Sequence, residues 1–361
     1  MVEEVLRQER YDILRAYSGT EAVMLLAQKR PDLILLNLIL PGMTGEKELP
    51  LIKGIPFIVF SAKRQLWQPT KRTYCVLKLI FVWLRKKERI IDMKVLIING
   101  SPHKGNTWKL VEQAKLDLLT CDKEIEFEEV HLMQEKIPFC IGCSNCFRVG
   151  HDKCPHYNVI GKLIEKIDNA DGVIIASSTY NVRETALLKN FFDHLCFMLH
   201  RPHFFTSKAL IITTAGGVGA RGAAKSIEKT LKGIGFNRCY LFSKASISWN
   251  AYIPKDKSLH SLKRIVSKFY KDISSKKLHS PAISLLIPYN LFRGISLSYV
   301  PGTEYETEDG VHWTKECREK TVYAPEVKVF FLKKPIGYLF YVIGKKAGRS
   351  KKMKVTYRKN A

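Results

Sequence analysis

Read only for apolar and polar positions, the chain shows two separate strand–helix alternations. The first occupies residues 11–63. YDILRAYS and DLILLNLIL are strand-like, GTEAVMLLAQKR between them has helical spacing, EKELPLI makes a short helix, and IPFIVFSAK is a further strand. Residues 64–92 leave that rhythm and predict an irregular linker running into one apolar, basic helix. A second, stronger alternation starts at Met93. KVLIIN, IEFEEVHL, DGVIIAS, ALIITTA and RCYLFSKA predict five strands. WKLVEQAKLDLL, IGKLIEKIDNA, ETALLKNFFDHLCFML, AAKSIEKTLKGI and LHSLKRIVSKFYKDI predict the five helices that follow them. Strands that are apolar along most of their length belong in a parallel sheet covered on both faces. From residue 276 the alternation stops, and an aromatic, turn-rich stretch leads to an apolar segment framed by lysines.

The segments are therefore 1–63, 64–92, 93–275 and 276–361. A hydrophobic content of 46% sustains a packed core. The longest apolar run, from Cys75, is broken by Lys78 and Arg85, so no spanning helix is expected, and MVEEVLRQERYD lacks the layout of a signal peptide. A cytoplasmic protein is expected. In that setting nine cysteines read as free thiols, a metal site or a cluster before they read as disulfides.

Charge adds one more feature. Of the net +25, residues 276–361 carry 17 basic against 7 acidic groups, and Lys333 to Lys359 holds ten Lys or Arg with no acid. Such a tail can meet a nucleic acid, an anionic membrane surface or solvent. Neither a helix-turn-helix pattern nor a regular interleaving of aromatic and basic residues accompanies it, so no specific nucleic acid is expected. The run Pro335 to Ile343 is too short to span a bilayer. Packing on the sheet domain or across a dimer is the favoured reading, and peripheral membrane contact is the other.

An open parallel sheet binds ligands beyond the carboxyl ends of its strands. The loop after the first strand of the main domain runs Asn99-Gly100-Ser101-Pro102-His103-Lys104-Gly105-Asn106-Thr107. It leads into a helix whose N-terminal N–H groups and dipole suit a phosphate. It is neither G-x-x-x-x-G-K-[ST] nor G-x-G-x-x-G, and a Ser/Thr/Asn-rich turn is also what an ordinary helix cap looks like. Two further loops fall on the same sheet edge: Ser177-Ser178-Thr179-Tyr180-Asn181, and Thr213-Thr214-Ala215-Gly216-Gly217.

Together these loops resemble the flavodoxin-like NAD(P)H-dependent FMN reductases, whose motifs read GSPR-x-x-x-NT and SP-x-Y, followed by an LK-x-F-x-D helix. The matching residues are Gly100-Ser101-Pro102 with Asn106-Thr107, Ser177 and Tyr180, and Leu188-Lys189-Asn190-Phe191-Phe192-Asp193. The chain departs from the pattern at Ser178, usually proline, and at His103-Lys104, where arginine is common. The resemblance covers residues 93–275. It implies an α/β, flavodoxin-like, doubly wound five-stranded parallel sheet of order 2-1-3-4-5. It implies FMN as cofactor, NAD(P)H as electron donor, an unidentified acceptor and a homodimer. It places Ser101, His103, Asn106 and Thr107 in the FMN phosphate loop. Ser177, Ser178, Thr179, Tyr180, Asn181, Ala215, Gly216 and Gly217 then lie along the flavin ring. The flavin carries the chemistry, so no catalytic side chain is expected.

Between the second strand and its helix lies CIGCSNCFRVGHDKCP, with Cys140, Cys143, Cys146 and Cys154. Its Cys-Pro ending is that of bacterial ferredoxin runs, and its place resembles that of the iron–sulfur flavoproteins, which pass electrons between a [4Fe–4S] cluster and FMN. Zinc is less favoured, because three cysteines at x2 spacing are crowded for paired CxxC knuckles. Free thiols lining a loop are the third reading. The remaining five cysteines, Cys196 among them, read as structural.

PDLILLNLILPGMTGEKELPLIKGIPFIVFSAK resembles the middle of a response-regulator receiver domain. The phosphoacceptor position holds Asn37, the acidic pair that binds magnesium has no counterpart, and only Ser61 matches. Without those carboxylates phosphorylation is not expected. The leading expectation is an FMN-dependent NAD(P)H oxidoreductase. Its alternatives are an electron-transfer iron–sulfur flavoprotein and, less favoured, a regulator built on the receiver-like fragment.

Overall fold

The computed structural model describes residues 93–248, 251–299, 301–314 and 321–350, preceded by short pieces at 11–12, 19–28, 34–37, 57–60, 78–80 and 85–86. The chain divides into two compact units, Met1–Ile90 and Ile91–Ala361. In the first, helix Gly19–Gln28 precedes strand Ile34–Asn37, which pairs in parallel with Phe57–Phe60. The expected helix at 46–52 and the matching Ser61 lie outside the described residues. The helix expected after Cys75 is corrected: Lys78–Ile80 is a strand antiparallel to Leu35–Asn37, and Arg85–Lys86 pairs with Tyr11–Asp12. That stretch is apolar on every side and rich in Val, Ile, Phe and Trp. No 3.6-residue period selects a helix there, and pairing with a strand neighbour decides.

Elements of the second unit are numbered from Lys94. Strand β1 is Lys94–Asn99, β2 Glu126–His131, β3 Gly172–Tyr180, β4 Lys208–Ala215 and β5 Arg238–Ala245. They pair in parallel in the order 2-1-3-4-5, as expected, with a two-residue strand Arg183–Glu184 folded back antiparallel on the end of β3. Helix α1 is Asn106–Cys121, α2 Tyr157–Asp168, α3 Ala186–His194, α4 Ala220–Gly233 and α5 Asp256–Ser274. Successive strand residues point to opposite faces. Val95 and Ile97 therefore join the core under α1 and α5, whereas Leu96 and Ile98 join the core under α2, α3 and α4. The helix expected to reach Leu199 stops at His194. A 3-10 turn, Cys196–Leu199, replaces its end and buries Phe197 and Met198 while turning the chain toward Arg201.

Strand β2 is one edge of the sheet, and its alternation of Glu with Phe and Val keeps that edge charged. Glu128 ion-pairs with Lys94 and Lys166, each at 2.6 Å. The Lys166 ammonium first, and Lys94 next, hold its carboxyl below the usual range. A depressed folded value stabilises above the unfolded carboxylate pKa and is lost as pH falls through the folded one. Glu128→Gln is expected to cost roughly 1 kcal/mol at neutral pH and nothing in acid below the carboxylate range. Urea melts at the two pH values check it.

The segment from 276 packs into the same unit. Helices α6 (Ile283–Ser296), α7 (Glu308–Trp313) and α8 (Lys334–Gly348) surround a small core in which Leu286, Tyr289, Trp313 and Tyr323 meet Phe205. The Trp313 indole donates to the His200 carbonyl at 3.1 Å. Packing of this extension on the sheet domain is thus what forms. No helix among the described residues is long and apolar enough to cross a membrane.

Candidate functional site

The site begins where β1 ends. Asn99 is buried, and its side-chain oxygen accepts from the Ser101 N–H at 3.0 Å, turning the chain off the strand. Gly100 donates to the Ala176 carbonyl at 2.8 Å, and its own carbonyl accepts from the Thr185 hydroxyl. A Cβ on Gly100 would sit 2.7 Å from Leu188 Cβ, so only glycine lets the loop lie this close to α3. Ser178 donates to the Ser101 hydroxyl oxygen from both its N–H and its O–H, each at 2.9 Å. The family's usual proline could not supply that N–H. Serine therefore fixes the second loop to the first by hydrogen bonds instead of by a ring, and the Ser101 O–H is the donor left over.

The other phosphate-loop side chains are engaged within the protein. Thr107 Oγ1 lies 2.6 Å from Thr214 Oγ1, tying α1 to β4. Asn106 donates to the Ser248 carbonyl at 3.0 Å and accepts from the Tyr252 N–H at 3.2 Å. What these two positions offer an anion is backbone N–H. Helix α1 starts without a side-chain cap on Gly105 and without an acidic residue in its first turn, so its N-terminal dipole is uncompensated. His103 is exposed at the mouth of this loop.

The ring-side residues gather on the same edge. Thr179 Oγ1, at the end of β3, is buried without a hydrogen-bond partner. A polar atom left in that state is costly and calls for a ligand or water. Asn181 and Val182 both have positive φ, 48° and 57°. A β-branched residue is strained there, and the strain sits at the loop expected to face the ring. Tyr180 is 49% exposed, and Gly216 and Gly217 face open space, since a Cβ on either would meet nothing within 4 Å. These features suit a flavin mononucleotide: N–H groups and a dipole for the phosphate, and exposed loop backbone beside them for a planar polar ring. The loop after β5, with Ser248 and Tyr252 holding Asn106, was not anticipated. No local motif marks it.

The cysteine loop behaves differently. Cys140 and Cys143 are exposed while Cys146 and Cys154 are half-buried. Among the described residues no group of three or more Cys, His, Asp or Glu is arranged to hold a metal. As folded here the four thiols do not fit a four-thiolate cluster or a zinc site. Instead Cys146 meets Cys196, which the sequence offered only as structural. The Cys146 thiol hydrogen-bonds to Cys196, which raises the former and lowers the latter to about 7, so Cys196 ionises first.

Residues of α3 hold this loop. Asn190 accepts from the Cys140 N–H and donates to the carbonyls of Ile137 and Pro138, and His194 bonds His156 at 2.9 Å. Both are buried, and their i, i+4 spacing on an apolar helix face was the signal for them. Arg201 donates to the Cys146 carbonyl and pairs with Asp309 of α7, which also binds His200 at 2.8 Å.

Residues 93–249 match the family described as NADPH-dependent FMN reductase. An iron-sulfur flavoprotein of Archaeoglobus fulgidus is 34% identical over 128 residues, 35% of this chain and 56% of its own length. An iron-sulfur flavoprotein of Clostridioides difficile is 29% identical over 195 residues, 53% of this chain and 84% of its own. The chain thus spans little more than half of the Archaeoglobus protein. A DNA-binding response regulator of Mycolicibacterium paratuberculosis is 38% identical over 66 residues, 29% of its length, a partial counterpart for the receiver-like resemblance.

Proposed function

We propose, from the match of residues 93–249 to the NADPH-dependent FMN reductase family, that this chain is an FMN-dependent oxidoreductase that takes electrons from NADH or NADPH and passes them to an acceptor. The observation that carries the reading is the meeting, on one sheet edge, of an uncapped α1 N-terminus with the open Gly216-Gly217 backbone. When bound, FMN supplies hydride and electron transfer. The chain's own residues hold and shield it. The N–H groups at the start of α1 and the Ser101 hydroxyl take the phosphate. Ser177 to Asn181 and Ala215 to Gly217 line the ring, with Tyr180 at its exposed border. Backbone N–H groups of these loops favour negative charge on a reduced ring.

The apolar side chains around this edge, Val182, Val218, Ile247 and Ile253, are 55–87% exposed. They support a homodimer that closes the site. The reading places the enzyme in the cytoplasm, where thiols stay reduced. Mixing the FMN-loaded chain anaerobically with NADH and then NADPH is expected to bleach the flavin absorbance with at least one of them. Failure with both would overturn the reductase reading.

A second reading, electron transfer through a [4Fe–4S] cluster on Cys140, Cys143, Cys146 and Cys154, is favoured by the names of the two flavoprotein relatives. No step is routed through it here, because among the described residues no group of three or more Cys, His, Asp or Glu side chains is arranged to hold a metal. Iron and sulfide assays on anaerobically purified protein decide it: about four irons per chain support it, and none removes it.

A further inference from the structure

Helix α8 is built inside out. The side it turns to α6 carries Gly337, Gly344 and Gly348, all buried. Gly294 of α6 faces them so closely that a methyl group there would strike the backbone of Tyr341, Gly344 and Lys345. The large apolar side chains point away. Tyr338, Leu339, Val342 and Ile343 are 45–60% exposed, and Phe331 and Leu332, on the turn before the helix, are 66% and 64% exposed. The four helical positions form one stripe. Small residues between helices with large ones outward is the arrangement of helices whose surroundings are themselves apolar. In water such a stripe is an uncovered patch.

Charge says what covers it. Lys333 and Lys334 stand at one end of α8 and Lys345, Lys346 and Arg349 at the other, and no acidic residue follows Glu326. A second copy of this chain would bring the same cations to the stripe and be repelled. Lys333 donates to the Pro281 carbonyl at 2.8 Å, but Lys334 beside it sits at the helix N-terminus, where the macrodipole disfavours a cation, so helix stability does not explain it. Cations at both ends of an apolar centre, with Tyr338 among the outward residues, match the depth profile of a headgroup boundary. From Lys334 to Lys346 the helix runs only about 18 Å, against about 30 Å of hydrocarbon, so it lies in the plane of a bilayer and does not cross it.

We propose that α8 and the turn before it form a docking element for an anionic phospholipid surface. The apolar stripe enters the headgroup boundary, and the flanking lysines reach the lipid phosphates. The proposal is independent of the flavin reading. Its test is flotation of the full chain with vesicles of phosphatidylcholine alone and with equal parts phosphatidylcholine and phosphatidylglycerol. Co-flotation is expected with the mixed vesicles only, weakening as salt rises. Lys345→Gln with Lys346→Gln should lower binding roughly thirtyfold, about fivefold for each lysine. Leu339→Glu with Val342→Glu should abolish it. All four side chains lie on the outward or flanking surface of α8, so both double variants should melt like the wild type. Equal behaviour toward the two kinds of vesicle would overturn the proposal. So would a wild-type oligomer that the Leu339/Val342 pair dissociates while vesicle binding is unchanged, since the stripe would then be a protein interface.

Discussion

Gly105→Asp is expected to weaken FMN binding about a hundredfold while leaving the fold as stable as before, or more so. Gly105 is the N-cap of α1, and no side chain there accepts from the first-turn N–H groups. An aspartate at an N-cap supplies that acceptor and typically adds about 1 kcal/mol to helix stability. The same carboxylate occupies the place offered to the phosphate and repels it. Two anions about 5 Å apart at an effective dielectric near 20 oppose each other by roughly 3 kcal/mol, which is about a hundredfold in affinity. The new Cβ would meet the ring of His103 at 2.9 Å, an exposed side chain that can move aside. Titrating the variant with FMN and with riboflavin separates charge from damage. Repulsion should weaken FMN alone, whereas a distorted loop would weaken both. Gly105→Asn, which caps without charge, should lose far less.

The second large effect concerns the joint between the cysteine loop and the C-terminal helices. Asp309→Ala is expected to destabilise the unit by about 3–5 kcal/mol. Asp309 and Arg201 are both buried, and the carboxylate pairs with Arg201 and His200. Its removal leaves in the interior a guanidinium that donates to the neutral Cys146 carbonyl but has lost its carboxylate. An uncompensated buried charge, more than the lost attraction, is the source of the penalty. The urea midpoint should fall sharply. Because Arg201 also fixes the backbone at Cys146, alkylation of Cys146 and Cys196 should speed up in native conditions. An unchanged midpoint would mean that the pair contributes nothing net.

How far the sequence disclosed this molecule depends on the range of the forces involved. The five strands were legible because each is a run of apolar residues bounded by turns. Their order, 2-1-3-4-5, was implied by the resemblance to the flavodoxin-like reductases and is the order the strands take. The loops Gly100 to Thr107 and Ser177 to Asn181 could be placed at strand ends because Gly, Ser, Thr and Asn break the apolar runs there. What was hidden lies far apart in the chain. The Arg201–Asp309 pair joins residues 108 positions apart, and the Gly294–Gly344 contact joins two helices with no shared motif. The Cys146–Cys196 contact was hidden for the same reason, since it joins the cysteine loop to a turn beyond α3 with no local motif between them. The helix expected after Cys75 was misread because a continuously apolar run has no period to read.

The central claim is that the carboxyl edge of the sheet binds FMN through its phosphate. Its most direct test is calorimetric titration of the purified full chain with FMN and, separately, with riboflavin, which lacks only the phosphate. Saturation at one FMN per chain, with riboflavin binding at least about tenfold more weakly, is the expected result. No binding of FMN, or equal affinity for the two flavins, would contradict the account.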